Sequence, residues 1–228
     1  MEALAYARQA TLIHHDTVRP VVPRDVGEGE DVVVFLHGLF ATAGVLRPLR
    51  SAIGRLKRVH TATFTYAPGP DVAGLCDQLG TILGELPHSA RLHLVGHSLG
   101  GVVARAYAHD RNDRRVVQTI SLGAPFAGVP GVGMVALGAA RDLDPQSPLL
   151  RRLRVGAATL DVPHFTLLAG GDNVVRPPLA HALPGSEVVV LPDLGHNTLL
   201  FDEEAARLVK ERVAMRRAKT PQNEGDPK

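Results

Sequence analysis

Six short runs of apolar and β-branched residues recur along the chain, at 32–36, 59–65, 91–95, 116–122, 164–169 and 187–191. Each is too short for a buried helix, and Val, Ile and Leu or β-branched Thr prevail in them, so each reads as a strand. Helical spacing appears between them. It is clearest from 71 to 86, where Val72, Leu75, Cys76, Leu79, Ile82, Leu83 and Leu86 trace one apolar stripe that Pro87 ends. Val102 to Ala108 is helix-compatible as well. Strands alternating with helices predict an α/β fold, a mainly parallel central sheet with helices on both faces.

The pattern weakens in three places. Residues 1–30 hold a short helix-like stretch and then a Pro-, Gly- and acid-rich approach, Pro20 to Glu30, that reads as a linker ahead of a domain spanning 31–213. Residues 126–163 carry too many Gly, Ala and Pro for one long helix, and Val129 to Leu160 is a candidate for a small cap segment. An ordinary crossover helix plus loop is the alternative. From Ala214 the chain turns basic and then Pro-, Asn- and Gly-rich, so 214–228 is expected to be a disordered tail.

Composition narrows the classes. A chain of 228 residues with 45% hydrophobic content can bury one good core. A formal charge of +2 leaves no electrostatic footprint for nucleic acid, and the clusters at Arg151-Arg152-Leu153-Arg154 and Arg111 to Arg115 read as solvated surface. The single Cys76 excludes an intramolecular disulfide and falls on the apolar stripe, as a buried thiol would. No apolar run is long enough to span a membrane. The first residues lack the basic start and apolar stretch of a secretory signal, so a cytoplasmic location is expected. The scattered histidines show no ligand spacing, and no metal is expected.

The most specific chemistry lies at Gly96-His97-Ser98-Leu99-Gly100. A G-x-S-x-G pentapeptide should arise by chance in roughly one chain in ten of this length, so context decides. Here a strand-like run precedes it and a helix-compatible segment follows, which is the order of a nucleophile elbow. The flanking glycines permit the cramped turn that pushes a serine hydroxyl out of line. Ser98 is the candidate nucleophile.

A serine nucleophile needs an imidazole, and the imidazole needs a carboxylate. His109 lies on the helix after the elbow, His164 opens a strand, and His181 sits in a Pro-flanked stretch. His196 differs, because Leu194-Gly195-His196-Asn197 follows the run 187–191, where a strand ends in a loop and catalytic groups gather. It is the candidate base, with an ordinary turn histidine as the alternative. Asp172 follows the run 164–169 at once and would share that edge of the sheet. Asp193 is the rival, although Asp beside Pro is also an ordinary turn residue. For a developing oxyanion, the His37-Gly38 turn after the first strand could aim the Leu39 N–H at the elbow, and the Leu99 N–H would be the second donor. His37 then reads as a structural residue of that loop.

With these residues placed, the chain resembles the α/β-hydrolase superfamily, and within it the small bacterial lipases and esterases. The resemblance rests on Phe35-Leu36-His37-Gly38-Leu39, on Val95-Gly96-His97-Ser98-Leu99-Gly100-Gly101, and on Ser121-Leu122-Gly123-Ala124-Pro125-Phe126-Ala127-Gly128, which is similar to a lipase LGTPHxG stretch. Asp172-Asn173-Val174-Val175 and Gly195-His196-Asn197-Thr198-Leu199-Leu200 resemble the acid and histidine loops. It implies an α/β-hydrolase fold with a small cap and hydrolysis of carboxylic esters through an acyl-enzyme on Ser98. It also implies no metal or organic cofactor, and a small-molecule or lipid ester as substrate. Ala124 and Phe126 stand where that stretch usually has Thr and His. With Leu39 and Phe40, Phe126 is a candidate for the acyl pocket, and the limited cap favours short or medium acyl chains. Thioesterases and acyltransferases on this fold share the elbow, and a catalytically inactive binding protein is the reading from another class.

Overall fold

The computed structural model describes residues 2–66, 69–132 and 138–218. Residues 133–137 of the expected cap and 219–228 of the expected tail lie outside them. A six-stranded sheet forms the centre: β1 (Asp31–Leu36), β2 (Val59–Thr63), β3 (Arg91–His97), β4 (Val116–Leu122), β5 (His164–Ala169) and β6 (Glu187–Leu191). Its order is β2-β1-β3-β4-β5-β6, and every neighbouring pair runs parallel. Among the described residues six α-helices accompany it: α1 (Glu2–Leu12), α2 (Arg47–Ile53), α3 (Val72–Gly84), α4 (Leu99–Asp110), α5 (Pro148–Val155) and α6 (Glu203–Ala218).

Why the sheet is covered twice is visible in β1. All six of its residues are buried, and successive side chains point to opposite faces. Val32, Val34 and Leu36 join a core with α3, α4 and α5, while Val33 and Phe35 join a second core with α2 and α6. Burying each such side chain contributes about 1.5 to 3 kcal/mol before the entropy cost of ordering it. Asp71 starts α3 by accepting a hydrogen bond from the Gly74 N–H at 2.8 Å.

The chain leaves β1 for β2 at one edge and returns to β3 on the other side of β1. The order of strands therefore reverses between β1 and β3, which stay paired through Leu36 and Gly96, and the segments that leave their carboxyl ends diverge around a crevice at this switch point. Beyond β4, the stretch to β5 holds a 3-10 turn at Gly138–Leu143 and then α5. The buried Arg105 on α4 ties the end of this stretch down, donating to the Val162 carbonyl at 2.6 Å and the Ala157 carbonyl at 3.1 Å.

At the carboxyl end, α6 continues through Ala218, five residues into the segment expected to be a tail. Arg216 supplies the reason. Its Nε donates to the Val117 carbonyl at 3.1 Å, and its own carbonyl accepts from Arg91 at 2.9 Å. Among the described residues no helix is long and apolar enough to cross a membrane.

Candidate active site

Ser98 sits between β3 and α4 with φ 51° and ψ −121°, a backbone conformation a non-glycine residue adopts only under constraint. The constraint comes from both sides. Gly96 and His97 extend β3 by pairing with Ser121 and Leu122, and the Ser98 N–H donates to the Leu122 carbonyl at 2.9 Å. The next turn is already α4. A Cβ on Gly96 would collide with the Gly100 carbonyl, and one on Gly100 with the Leu36 and His37 carbonyls. The two glycines of the pentapeptide are thus required by close backbone approach, and the serine is left partly exposed at the crevice.

His196 follows β6 on a tight loop closed by Thr198, whose hydroxyl accepts from the Gly195 N–H at 2.6 Å and donates to its carbonyl at 2.8 Å. Its ring Nδ1 lies 2.8 Å from Asp172 Oδ2, and both side chains are almost wholly buried. Asp172 stands just after β5, where its other oxygen accepts from the Val174 and Val175 N–H groups at 2.8 and 2.7 Å. Burial opposes ionisation of Asp172, yet the His196 N–H and the two backbone N–H groups outweigh it and hold the carboxyl below its ordinary range.

Ser98 and His196 border the same cavity of about 510 Å³. Among the described residues no hydrogen bond joins Ser98 Oγ to His196. The pairing of His196 is with Asp172, and the rival Asp193 is exposed on the preceding turn.

The turn after β1 is held by His37, which is buried at 1% exposure. Its Nδ1–H donates to the Gly38 carbonyl at 2.8 Å, its Nε2 accepts from the Tyr66 N–H at 3.1 Å, and its ring stacks on Tyr66 at 3.8 Å. The Tyr66 hydroxyl donates to the His37 carbonyl. Burial pushes the His37 pKa down to about 4, so the ring stays neutral and serves as a fixed strut. Leu39 and Phe40 follow at the cavity edge, Phe40 with φ 58° and 76% exposure. The Leu39 and Leu99 N–H groups take part in no hydrogen bond within the described residues. The Leu99 N–H opens α4, where unpaired N–H groups and the helix dipole favour negative charge.

The expected pocket residues separate. Phe40 lines the cavity; Phe126 does not, being fully buried and packed edge-on against His164 at 5.4 Å. The turn after β4 directs Pro125 to the cavity and Phe126 into the core, a choice the residue order alone does not reveal. The remaining walls come from Val129, Val132 and Leu143 of the expected cap and from Tyr6, Gln9, Ala10 and Ile13 around α1. The contribution of α1 was not readable in the sequence, because 1–30 carries no motif that names its partner.

A second serine–histidine contact exists. Ser121 Oγ lies 3.0 Å from His164 Nε2, and Thr119 Oγ1 lies 2.7 Å from its Nδ1. Both partners are buried within the sheet, and His164 has a hydroxyl instead of a carboxylate on its far nitrogen. Burial and the nearby Arg105 charge lower its pKa to about 3, so this group is a structural bridge between β4 and β5.

No curated protein matches the chain by sequence. Among solved structures, the fold is similar to that of a monoacylglycerol lipase from Paleococcus ferrophilus, with 16% identity, coverage of 87% of this chain and 98% of that one, and a TM-score of 0.63. It is also similar to Est1E from Butyrivibrio proteoclasticus (15%, 88% and 93%, 0.66) and to a methylesterase from Arabidopsis (17%, 81% and 99%, 0.58). These likenesses establish the α/β-hydrolase fold. The family model described as palmitoyl protein thioesterase matches residues 33–155, from β1 through the elbow to the end of α5. That match spans more than half of the sequence, and the chain belongs to the palmitoyl protein thioesterase family.

Proposed function

We propose that the protein is a serine hydrolase that cleaves carboxylic esters of apolar acids through an acyl-enzyme on Ser98. The observation that carries this reading is that the strained Ser98, Leu39 and His196 with its partner Asp172 meet at one cavity, while the N–H groups of Leu39 and of Leu99, the residue after Ser98, take part in no hydrogen bond within the described residues. The lipase and esterase neighbours and the family support the same class.

In this mechanism Ser98 Oγ attacks the acyl carbonyl as His196 Nε2 takes its proton. Asp172 holds the opposite nitrogen as the N–H donor and stabilises the imidazolium. The carbonyl electron pair moves onto oxygen, where the Leu39 and Leu99 N–H groups stabilise it; removing one such donor costs about 3 to 4 kcal/mol of barrier stabilisation. The tetrahedral centre collapses, the bond to the leaving oxygen breaks, and His196 returns its proton to the departing alcohol. Water then repeats the sequence on the acyl-enzyme and releases the acid. The serine–histidine bond tightens with substrate in place, as catalytic hydrogen bonds often do only in the Michaelis complex.

The acyl group lies among Leu39, Val129, Val132 and Leu143. A volume of about 510 Å³ falls within the usual range for small-molecule sites. Each added methylene buried there contributes about 0.8 kcal/mol, a factor of roughly four in kcat/KM. Across p-nitrophenyl esters from acetate to palmitate, kcat/KM is expected to climb steeply to an optimum between butyrate and octanoate and then fall, with Ser98→Ala inactive throughout. Flat activity across the series, or activity that survives in Ser98→Ala, contradicts the proposal.

A thioesterase is the second reading, and the family match favours it. It uses the same groups with a thiolate as the leaving atom. Faster hydrolysis of an S-palmitoyl thioester than of every oxygen ester would select it.

A further inference from the structure

The helix that walls the cavity is held in an unusual way. Only Ala5 of α1 is buried, so little apolar burial fixes the helix, and polar ties at its two ends do so instead. At the far end Thr42 Oγ1 donates to the Ile13 carbonyl at 2.9 Å, and Asp16 receives Arg47 and Arg50 at 3.3 and 3.0 Å. At the near end a single carboxylate carries the load. Glu2 Oε1 accepts from the Asn197 N–H at 2.8 Å and from Asn197 Nδ2 at 3.0 Å, while Oε2 accepts from the Thr198 N–H at 3.2 Å. These donors belong to the two residues directly after His196, and both residues are buried.

The loop is shaped to receive this group. A Cβ on Gly195 would strike the Glu2 carboxylate, so the glycine before His196 is the space the carboxylate occupies. Further supports come from the loop itself, where Thr198 Oγ1 bridges to Gly195, and from the domain: the Gly171 N–H donates to the Leu194 carbonyl at 2.8 Å, Asp172 holds the imidazole, and the His97 Nε2–H donates to the His196 carbonyl at 3.1 Å.

We propose that Glu2 is a positioning residue for His196. Asp172 fixes the ring, and Glu2, reaching back from a helix 195 residues away in sequence, fixes the backbone that carries it. Docking of α1 thereby completes the cavity wall and orients the base in one event. A buried N–H left without a partner is strongly disfavoured, so loss of Glu2 moves the 195–198 loop, and a displacement of about 1 Å at a catalytic group can cost on the order of 10²-fold in rate. The catalytic part of this inference rests on the function proposed above; the anchoring part does not.

The test compares Glu2→Gln, which keeps one acceptor oxygen, with Glu2→Met, which keeps the length and no acceptor. Amide hydrogen exchange of the peptide covering Asn197 and Thr198 is read first, then kcat and KM with p-nitrophenyl butyrate, then the melting temperature at pH 8. Glu2→Met is expected to exchange these amides at least about tenfold faster. Its kcat is expected to fall at least about tenfold with KM changed less than about threefold, Glu2→Gln lying between it and the wild type. Unchanged amide protection in Glu2→Met overturns the proposal whether or not the wild type turns over. Lost protection with unchanged kcat overturns it too. So does a fall in kcat that matches the loss of folded protein, since that assigns Glu2 to stability alone. Absence of turnover in the wild type would refute the esterase reading, leaving the exchange data to decide the anchor.

Discussion

Asp172→Asn is expected to lower kcat by about 10⁴-fold while the protein stays folded. The swap is nearly isosteric, and the asparagine oxygen can still accept from the Val174 and Val175 N–H groups that Asp172 Oδ1 now serves. Its amide nitrogen then faces His196 Nδ1, where Asp172 Oδ2 lies at 2.8 Å. Two donors cannot meet, so the imidazole shifts its proton to Nε2 and can no longer take one from Ser98. The cost falls on chemistry and not on binding, so KM should hardly move. The melting temperature at pH 8 should stay within about 5 °C of the wild type, the loss of one charge-assisted hydrogen bond. Retention of more than a tenth of the activity would remove Asp172 from the site and pass the role to the exposed Asp193, three residues before His196.

A steep loss of stability in mild acid is the second large effect. Among the described residues burial lowers the pKa of five histidines: His93 and His181 shift in that direction, and three fall well below the usual range, His37 to about 4, His97 to about 3 beside His196, and His164 to about 3 near Arg105. In the unfolded chain each returns to about 6.5. Below that pH the unfolded state binds protons that the folded state refuses, so stability is complete above about 6.5 and falls as the pH drops toward the folded values. At pH 5 each of the last three costs about 2 kcal/mol and the three together about 6. Domains of this kind have roughly 5 to 15 kcal/mol in total. The depressed carboxyl of Asp172 adds to the loss only at lower pH, below its unfolded value near 3.9. Thermal melts between pH 8 and 4.5 should show a plateau down to about 6.5 and a sharp decline beneath it. His164→Gln should flatten that decline. A melting temperature constant from pH 8 to 5 would show that these rings are not held neutral.

The sheet was legible because its central strands β1, β3, β4 and β5 are buried on both faces, so apolar runs mark them, while the half-buried edge strands β2 and β6 still carry β-branched residues. The errors are at the ends. The run 91–95 stops at Gly96, but β3 continues through His97 because Gly96 and His97 pair with β4. The run 59–65 overshoots, since β2 ends at Thr63, where Val21 forms an antiparallel bridge. Ser98, Asp172 and His196 could be singled out as candidates because each lies within a few residues of a strand's end, and parallel strands bring their carboxyl ends to one edge. Glu2 could not, because nothing in a short amphipathic stretch states which distant loop its first carboxylate meets. Phe126 was misdirected for a related reason: one residue along a tight turn reverses a side chain from cavity to core. His37 and His97 were visible as residues of the motifs, yet their neutrality arises from burial that only the assembled fold provides.

The central claim is that Ser98 is a nucleophile activated by His196 and Asp172. It is tested most directly by exposing the protein to a fluorophosphonate at pH 8 and mapping the modified peptide by mass spectrometry. One phosphonyl adduct is expected, on Ser98, absent in Ser98→Ala and formed far more slowly in Asp172→Asn. No adduct, or an adduct on another residue that survives in Ser98→Ala, would contradict it.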